Sequence, residues 1–312
     1  MHDDFHAEQR PVFRLIAALA ITATLAVPAE EDRGRPVVLL IHGRGMLDVD
    51  TAATRKMWLD ALTGGSRSSA AGVISDRDVR VVWYADVLDP RSSGGCDYTS
   101  SDPRLRRGAS GDPELKMVLA TAGTIIGALT ALIDDKDTGT QLRSLSADAS
   151  FLSDARKRCA SEQRLGDAIE RAQREGRPVI VVAHSLGALV AYDYLSSRTD
   201  TGLVQRLITI GSPAGATSLR RLLIGGDDSD TLARPSSVKS WINIRNDNDL
   251  FAAPISVGRD VLTSPPAGET DPHEMVGYLR GSATNTEIVA AWCSAFVGKA
   301  PSGCTSVRQS SP

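Results

Sequence analysis

Apolar residues in this chain gather into short, nearly unbroken runs separated by stretches of helical spacing. Pro36-Val37-Val38-Leu39-Leu40-Ile41 and Val179 to Val182 are continuous and rich in β-branched side chains, the composition of strands covered on both faces. Val79 to Tyr84 and Gln205 to Ile210 read the same way. Val238 to Arg245 alternates and ends in the polar stretch Asn246-Asp247-Asn248-Asp249, a strand running into a loop. Between these runs, Ala52 to Leu62, Cys159 to Glu175 and Ala188 to Leu195 read as helices. The second places Leu165, Ala168, Ile169 and Ala172 at helical spacing, and Gly176 stops it. Strands alternating with helices predict an α/β fold, a mostly parallel doubly wound sheet with helices on both faces. In such a sheet a ligand crevice lies beyond the carboxyl ends of the strands.

The alternation breaks between Asp89 and Cys159. Arg91 to Asp112 is rich in Ser, Gly, Pro and charge and reads as loop. Glu114 to Ile133 is then mostly Ala, Leu, Ile, Thr, Val and Gly, up to the charged Asp134-Asp135-Lys136-Asp137. Its length suits a membrane span, but its threonines and glycines dilute its apolarity. A lid or cap helix is the preferred reading, ahead of a plain buried helix or a membrane segment. A lid over a site would screen it from water.

Composition constrains the rest. With 312 residues, 42% of them hydrophobic, the chain has enough apolar surface for one sizeable core. The expected organisation is a leader or anchor at 1–29, one domain at 30–300 with an insertion at about 90–158, and a tail at 301–312. In the leader, Arg10 and Arg14 precede the apolar run Leu15 to Val27, and Val27-Pro28-Ala29 offers small residues for cleavage, the pattern of an export signal. Asp3, Asp4 and Glu8 in the same segment leave an uncleaved anchor as the alternative. A secreted or periplasmic location follows, and four cysteines form an even set suited to an oxidising compartment. Cys293 with Cys304 and Cys96 with Cys159 are the natural pairs, the latter tying the two edges of the insertion. The cysteines lack the spacing of a metal site, and the chain carries no phosphate-binding glycine loop, so neither metal nor cofactor is expected. A net charge of −3 offers no basic field for nucleic acid.

The chemistry is concentrated in Ala183-His184-Ser185-Leu186-Gly187, between a strand and a helix. A serine on so tight a turn needs small neighbours two positions to either side, which Ala183 and Gly187 supply. The helix that follows offers the free N–H of Leu186 to an oxyanion. A serine hydroxyl also needs a base, and imidazole suits that task at neutral pH. The five histidines are His2, His6, His42, His184 and His273.

The pentapeptide resembles the nucleophile elbow of the α/β-hydrolase family, with alanine in place of the usual first glycine, as in some lipases. That family runs serine, acid, histidine along the chain, and His273, in Pro272-His273-Glu274, is the histidine that follows Ser185. Asp247 and Asp249 are both candidates for the acid. The family's acid loop, with the aspartate directly before an apolar pair, maps onto Asp249, followed by Leu250-Phe251. His42-Gly43-Arg44-Gly45 after the first strand is similar to the family's His-Gly loop. The resemblance makes the Arg44 N–H the second oxyanion donor, has His42 shape the loop, and turns His184 away from the cleft. Gly211-Ser212-Pro213 also looks like lipase-type members.

The resemblance covers roughly residues 36–297 and implies a serine hydrolase, lipase- or esterase-like, acting on a small-molecule or lipid ester, with the insertion able to touch a membrane surface. Acyl transfer or thioester cleavage on the same triad, and an inactive hydrolase fold serving as a binding module, are the alternative functions.

Overall fold

The computed structural model describes residues 32–64, 70–89, 91–98, 150–216, 223, 232–264 and 268–304. The strands in it are β1 (Val37–Ile41), β2 (Val79–Val82), β3 (Val179–His184), β4 (Arg206–Ile210), β5 (Trp241–Arg245) and β6 (Arg259–Leu262). The helices are α1 (Thr51–Thr63), α2 (Ala85–Leu88), α3 (Ala155–Arg174), α4 (Leu186–Ser196), α5 (Met275–Arg280) and α6 (Ser282–Ala295). The strands form one six-stranded sheet in the order β2-β1-β3-β4-β5-β6, and every pairing is parallel.

The five apolar runs of the sequence are β1 to β5, with ends shifted by a few residues. β6 was not anticipated: its Arg-Asp-Val-Leu lies at the sheet edge and is largely exposed, so it carries no apolar signature.

Uninterrupted apolarity in β1 and β3 serves two cores at once, because side chains alternate across a strand. Val37, Leu39, Ile41, Val181 and Ala183 join one apolar cluster, with Leu165 and Ile169 of α3 and Leu189 of α4. Val38, Leu40, Ile180 and Val182 join the other, with Trp58 and Leu62 of α1, Leu279 of α5 and Trp292 of α6. Each large side chain so buried contributes about 1.5–3 kcal/mol. Asp50 caps α1 and Asp154 caps α3, each carboxylate accepting two backbone N–H bonds that a helix start leaves open.

Helix α3 is tied to its neighbours by charge as well as by packing. Arg158 donates to Asp193 of α4 and lies 3.7 Å from Glu162, and all three side chains are buried. The Tyr98 hydroxyl donates to Glu162 at 3.1 Å, and the Cys96–Cys159 disulfide holds that segment in place. A second disulfide, Cys293–Cys304, fastens the chain beyond α6. Both pairs are those expected from the sequence. Among the described residues no helix is long and apolar enough to cross a membrane. The leader at 1–29, the candidate lid at 114–133 and the tail beyond 304 lie outside the described residues.

Topology fixes where a site can form. The chain passes from β1 to β2 on one side, then crosses back to place β3 on the other. The strand order therefore changes direction at β1, and parallel sheets bind ligands beyond the carboxyl ends of the strands at such a point. His42-Gly43-Arg44 follows β1 and Ser185-Leu186 follows β3, so both segments lie at those carboxyl ends.

Candidate active site

Ser185 sits between β3 and α4 with φ 51° and ψ −123°. Among the described residues it is the one non-glycine with positive φ, a conformation that costs of order 1–3 kcal/mol and persists where neighbours over-determine it. Its N–H donates to the Ile210 carbonyl at 3.1 Å, and its own carbonyl accepts from Ala188 N–H at 2.9 Å. Gly187 is required by space: a Cβ there would collide with the His42 carbonyl oxygen and lie 2.9 Å from that of Ile41. Leu186 is the first residue of α4, where a backbone N–H has no intrahelical acceptor.

The loop after β1 runs directly against the nucleophile. A Cβ on Gly43 would stand 2.9 Å from Ser185 Cβ and 2.8 Å from His184 Nδ1. His42 bonds within this loop and to the segment that follows β2. Its Nδ1–H donates to the Gly43 carbonyl at 2.6 Å while its Nε2 accepts the Tyr84 N–H at 3.1 Å. The ring stacks on Tyr84 at 4.2 Å, and the Tyr84 hydroxyl donates to the His42 carbonyl at 2.8 Å. Arg44 is half-buried and lays its guanidinium over the Phe251 ring at 4.5 Å. Phe251 lies in turn 4.7 Å from the His273 ring.

The three residues proposed as a triad meet. His273 Nε2 is 2.9 Å from Ser185 Oγ, and its Nδ1 lies 2.9 and 3.0 Å from the two carboxylate oxygens of Asp249. With Nδ1–H donating to Asp249, Nε2 is left as acceptor for the serine hydroxyl. The loop holding His273 is pinned by His273 N–H to Asp271 at 2.8 Å and by the Asn246 amide to the Pro272 carbonyl at 3.4 Å.

Of the two candidate acids, Asp249 is the one at the imidazole, and its side chain is fully buried. Burial opposes its ionisation, but hydrogen bonds from His273, the Tyr278 hydroxyl and the Phe251 N–H outweigh it and hold the carboxyl below the usual range. Asp247 is 64% exposed and pairs with Arg245 at 2.5 Å.

Two participants escape a reading of the sequence. The Tyr278 hydroxyl donates to Asp249 at 2.7 Å and accepts the Asn246 N–H at 3.0 Å; burial and the neighbouring carboxylate raise its pKa, so it stays a donor. An aromatic one turn into the helix after the histidine was the available signal. His184, expected to turn away from the cleft, is instead engaged with the triad. Its Nε2–H donates to the His273 carbonyl at 2.7 Å, and the two rings lie 4.9 Å apart. Gly211, at φ 54°, leaves room for both: a Cβ there would stand 3.0 Å from Tyr278, 3.1 Å from Asp249 and 3.3 Å from His184.

Buried imidazoles give this region a pH signature. Burial lowers His42 to a pKa of about 4, the bond to the Gly43 carbonyl notwithstanding. Burial, then the neighbouring His273, lowers His184 to about 3. In the unfolded chain both return to about 6.5. Below that value the unfolded state binds more protons than the native one, so stability is greatest above pH 6.5 and falls as pH drops toward 4. Urea unfolding followed against pH is expected to show a slope approaching about 2.7 kcal/mol per pH unit from these two groups. A flat profile from pH 7 to 5 would contradict their neutral burial.

Among the described residues no group of three or more His, Cys, Asp or Glu side chains is arranged to hold a metal ion. No protein-family model matches this chain, and no curated protein matches it.

Proposed function

We propose that this chain is a secreted or periplasmic serine hydrolase of the α/β-hydrolase type that cleaves carboxylic esters, lipase- or esterase-like, through an acyl-enzyme. The observation that carries the reading is the continuous relay from Ser185 Oγ through His273 to Asp249, each link 2.9–3.0 Å long. A structural serine has no need of positive φ, a base and a buried acid together.

In this reading His273 Nε2 takes the hydroxyl proton as Ser185 Oγ attacks the ester carbonyl carbon. Asp249 stays ionised, fixes the imidazole tautomer and stabilises the imidazolium. The N–H groups of Leu186 and Arg44 hold the oxyanion, each such donor contributing roughly 3–4 kcal/mol in comparable sites. The intermediate collapses as His273 gives its proton to the departing alkoxide. Water, deprotonated by His273, then attacks the acyl-enzyme, and Ser185 recovers its proton as the carboxylic acid leaves. Leu250, 64% exposed, and Phe251 beside the imidazole suit an acyl chain at the mouth. A small-molecule or lipid ester is the substrate class, and the two disulfides accord with an extracellular setting.

The test is a fluorophosphonate probe on the full chain, with the modified peptide located by mass spectrometry, together with a chain-length series of nitrophenyl esters. The expected result is one phosphonyl adduct, on Ser185, and burst kinetics with the preferred ester. A folded chain that takes up no probe would overturn the proposal.

A further inference from the structure

We infer that His184 is a positioning residue for His273: its Nε2–H holds the main-chain carbonyl of the general base and so sets the distance between base and nucleophile. The inference rests on the hydrolase reading for its catalytic consequence, and on geometry for the rest.

His273 belongs to the segment before α5 and Ser185 to the end of β3. Side-chain hydrogen bonding alone would leave their separation to the stiffness of a loop. The bond of 2.7 Å from His184 Nε2 to the His273 carbonyl closes that gap from the residue next to the nucleophile. The anchor is itself immobile: His184 is the last residue of β3, is 7% exposed and sits inside the ladder opposite Ile210.

The same imidazole touches the other parts of the site. Its Nδ1 edge abuts Gly43 of the proposed oxyanion loop, and its Cδ2 edge abuts Gly211. The Tyr278 ring, whose hydroxyl holds Asp249, lies 6.0 Å from it. One flat side chain thus spaces nucleophile, base, acid support and oxyanion loop. Held neutral by burial, it keeps a single donor and brings no second positive charge beside the imidazolium that forms in turnover. The same bond gives the His273 carbonyl a partner inside the protein.

The requirement is a donor at the ε position of a side chain of this length. Glutamine presents its amide N–H groups there, asparagine falls short, and phenylalanine fills the space without a donor. The experiment compares His184→Gln, His184→Asn and His184→Phe in the full chain. Its readouts are kcat and KM on a nitrophenyl ester, thermal melting, and the ¹⁵N spectrum of the His273 imidazole.

Misplacement of a reacting group by about 1 Å costs on the order of 100-fold. The Phe and Asn variants are therefore expected to lose about 10- to 100-fold in kcat with KM nearly unchanged, while Gln recovers most of the rate. Asp249 keeps the proton on Nδ1 in every variant, so the readout is the Nε2 resonance, which reports the bond to Ser185 Oγ. It should hold its wild-type position in Gln and shift in Phe and Asn. Wild-type kcat and an unshifted Nε2 resonance in the Phe variant would overturn the inference, as would a loss in Gln equal to that in Phe. Should Phe fail to fold, the contrast between Gln and Asn decides. The imidazole spectrum is read without substrate, so a chain with no esterase activity would sink the hydrolase reading and leave this one to be judged separately.

Discussion

Ser185→Ala is expected to lower ester turnover by about 10⁴-fold or more, because members of a triad act as one unit and losing the nucleophile forfeits nearly all of their joint effect. What survives is the background that an oxyanion hole and substrate binding provide by themselves. Stability should scarcely change, since alanine meets the same backbone conformation at φ 51° and fits the space of the serine. Steady-state kinetics on the preferred nitrophenyl ester, normalised to the concentration of folded protein and paired with thermal melting, make the comparison. Equal turnover by both proteins would end the enzyme hypothesis, because no other described nucleophile stands within hydrogen-bonding distance of His273 Nε2.

The second large effect separates two aspartates that stand two positions apart. In Asp249→Asn, an amide replaces a carboxylate that accepts Nδ1–H of His273, the Tyr278 hydroxyl and the Phe251 N–H. An amide nitrogen facing Nδ1 donates where the carboxylate accepted, which forces the proton onto Nε2 and points it at Ser185. The base is then blocked, and kcat should drop by about 10⁴ with folding retained, the loss typical of the wrong tautomer. Asp247→Asn removes only an exposed pair with Arg245, of the kind worth about 0–1 kcal/mol. Its kcat should stay within about twofold of wild type. The reverse ranking would hand the acid's role to Asp247 and refute the assignment drawn from the geometry.

Much of the framework could be read before any coordinates, for reasons that differ from element to element. β1 and β3 were legible because burial on both faces leaves apolar side chains everywhere but at His184, the last residue of β3. β6 was not, because an exposed edge strand carries Arg259 and Asp260 without penalty. The buried Arg158, Glu162 and Asp193 were equally opaque: charged residues on a helix read as a solvated face until a partner helix covers them.

Within the site, Ser185 announced itself because its turn makes local steric demands, met at positions 183 and 187. Asp249 was set apart from Asp247 by the apolar pair Leu250-Phe251 that follows it, and it is the one that lies at the imidazole. Tyr278 acts on a carboxylate 29 positions away, and its place one turn into the helix after His273 was the one local hint of that contact. His184 was misread because the elbow's neighbours say which residues must be small, but not which side chain will pack beneath the incoming histidine loop.

The backbone at Ser185 carries one more consequence. A left-handed conformation disfavours every L side chain and is nearly free for glycine, so evolution has at hand a single replacement that would relax the turn. A lineage that had abandoned covalent chemistry would be expected to drift toward that replacement, gaining robustness at no loss. A glycine at position 185 in relatives of this chain would therefore speak for the binding-module alternative, and a serine there for the hydrolase reading.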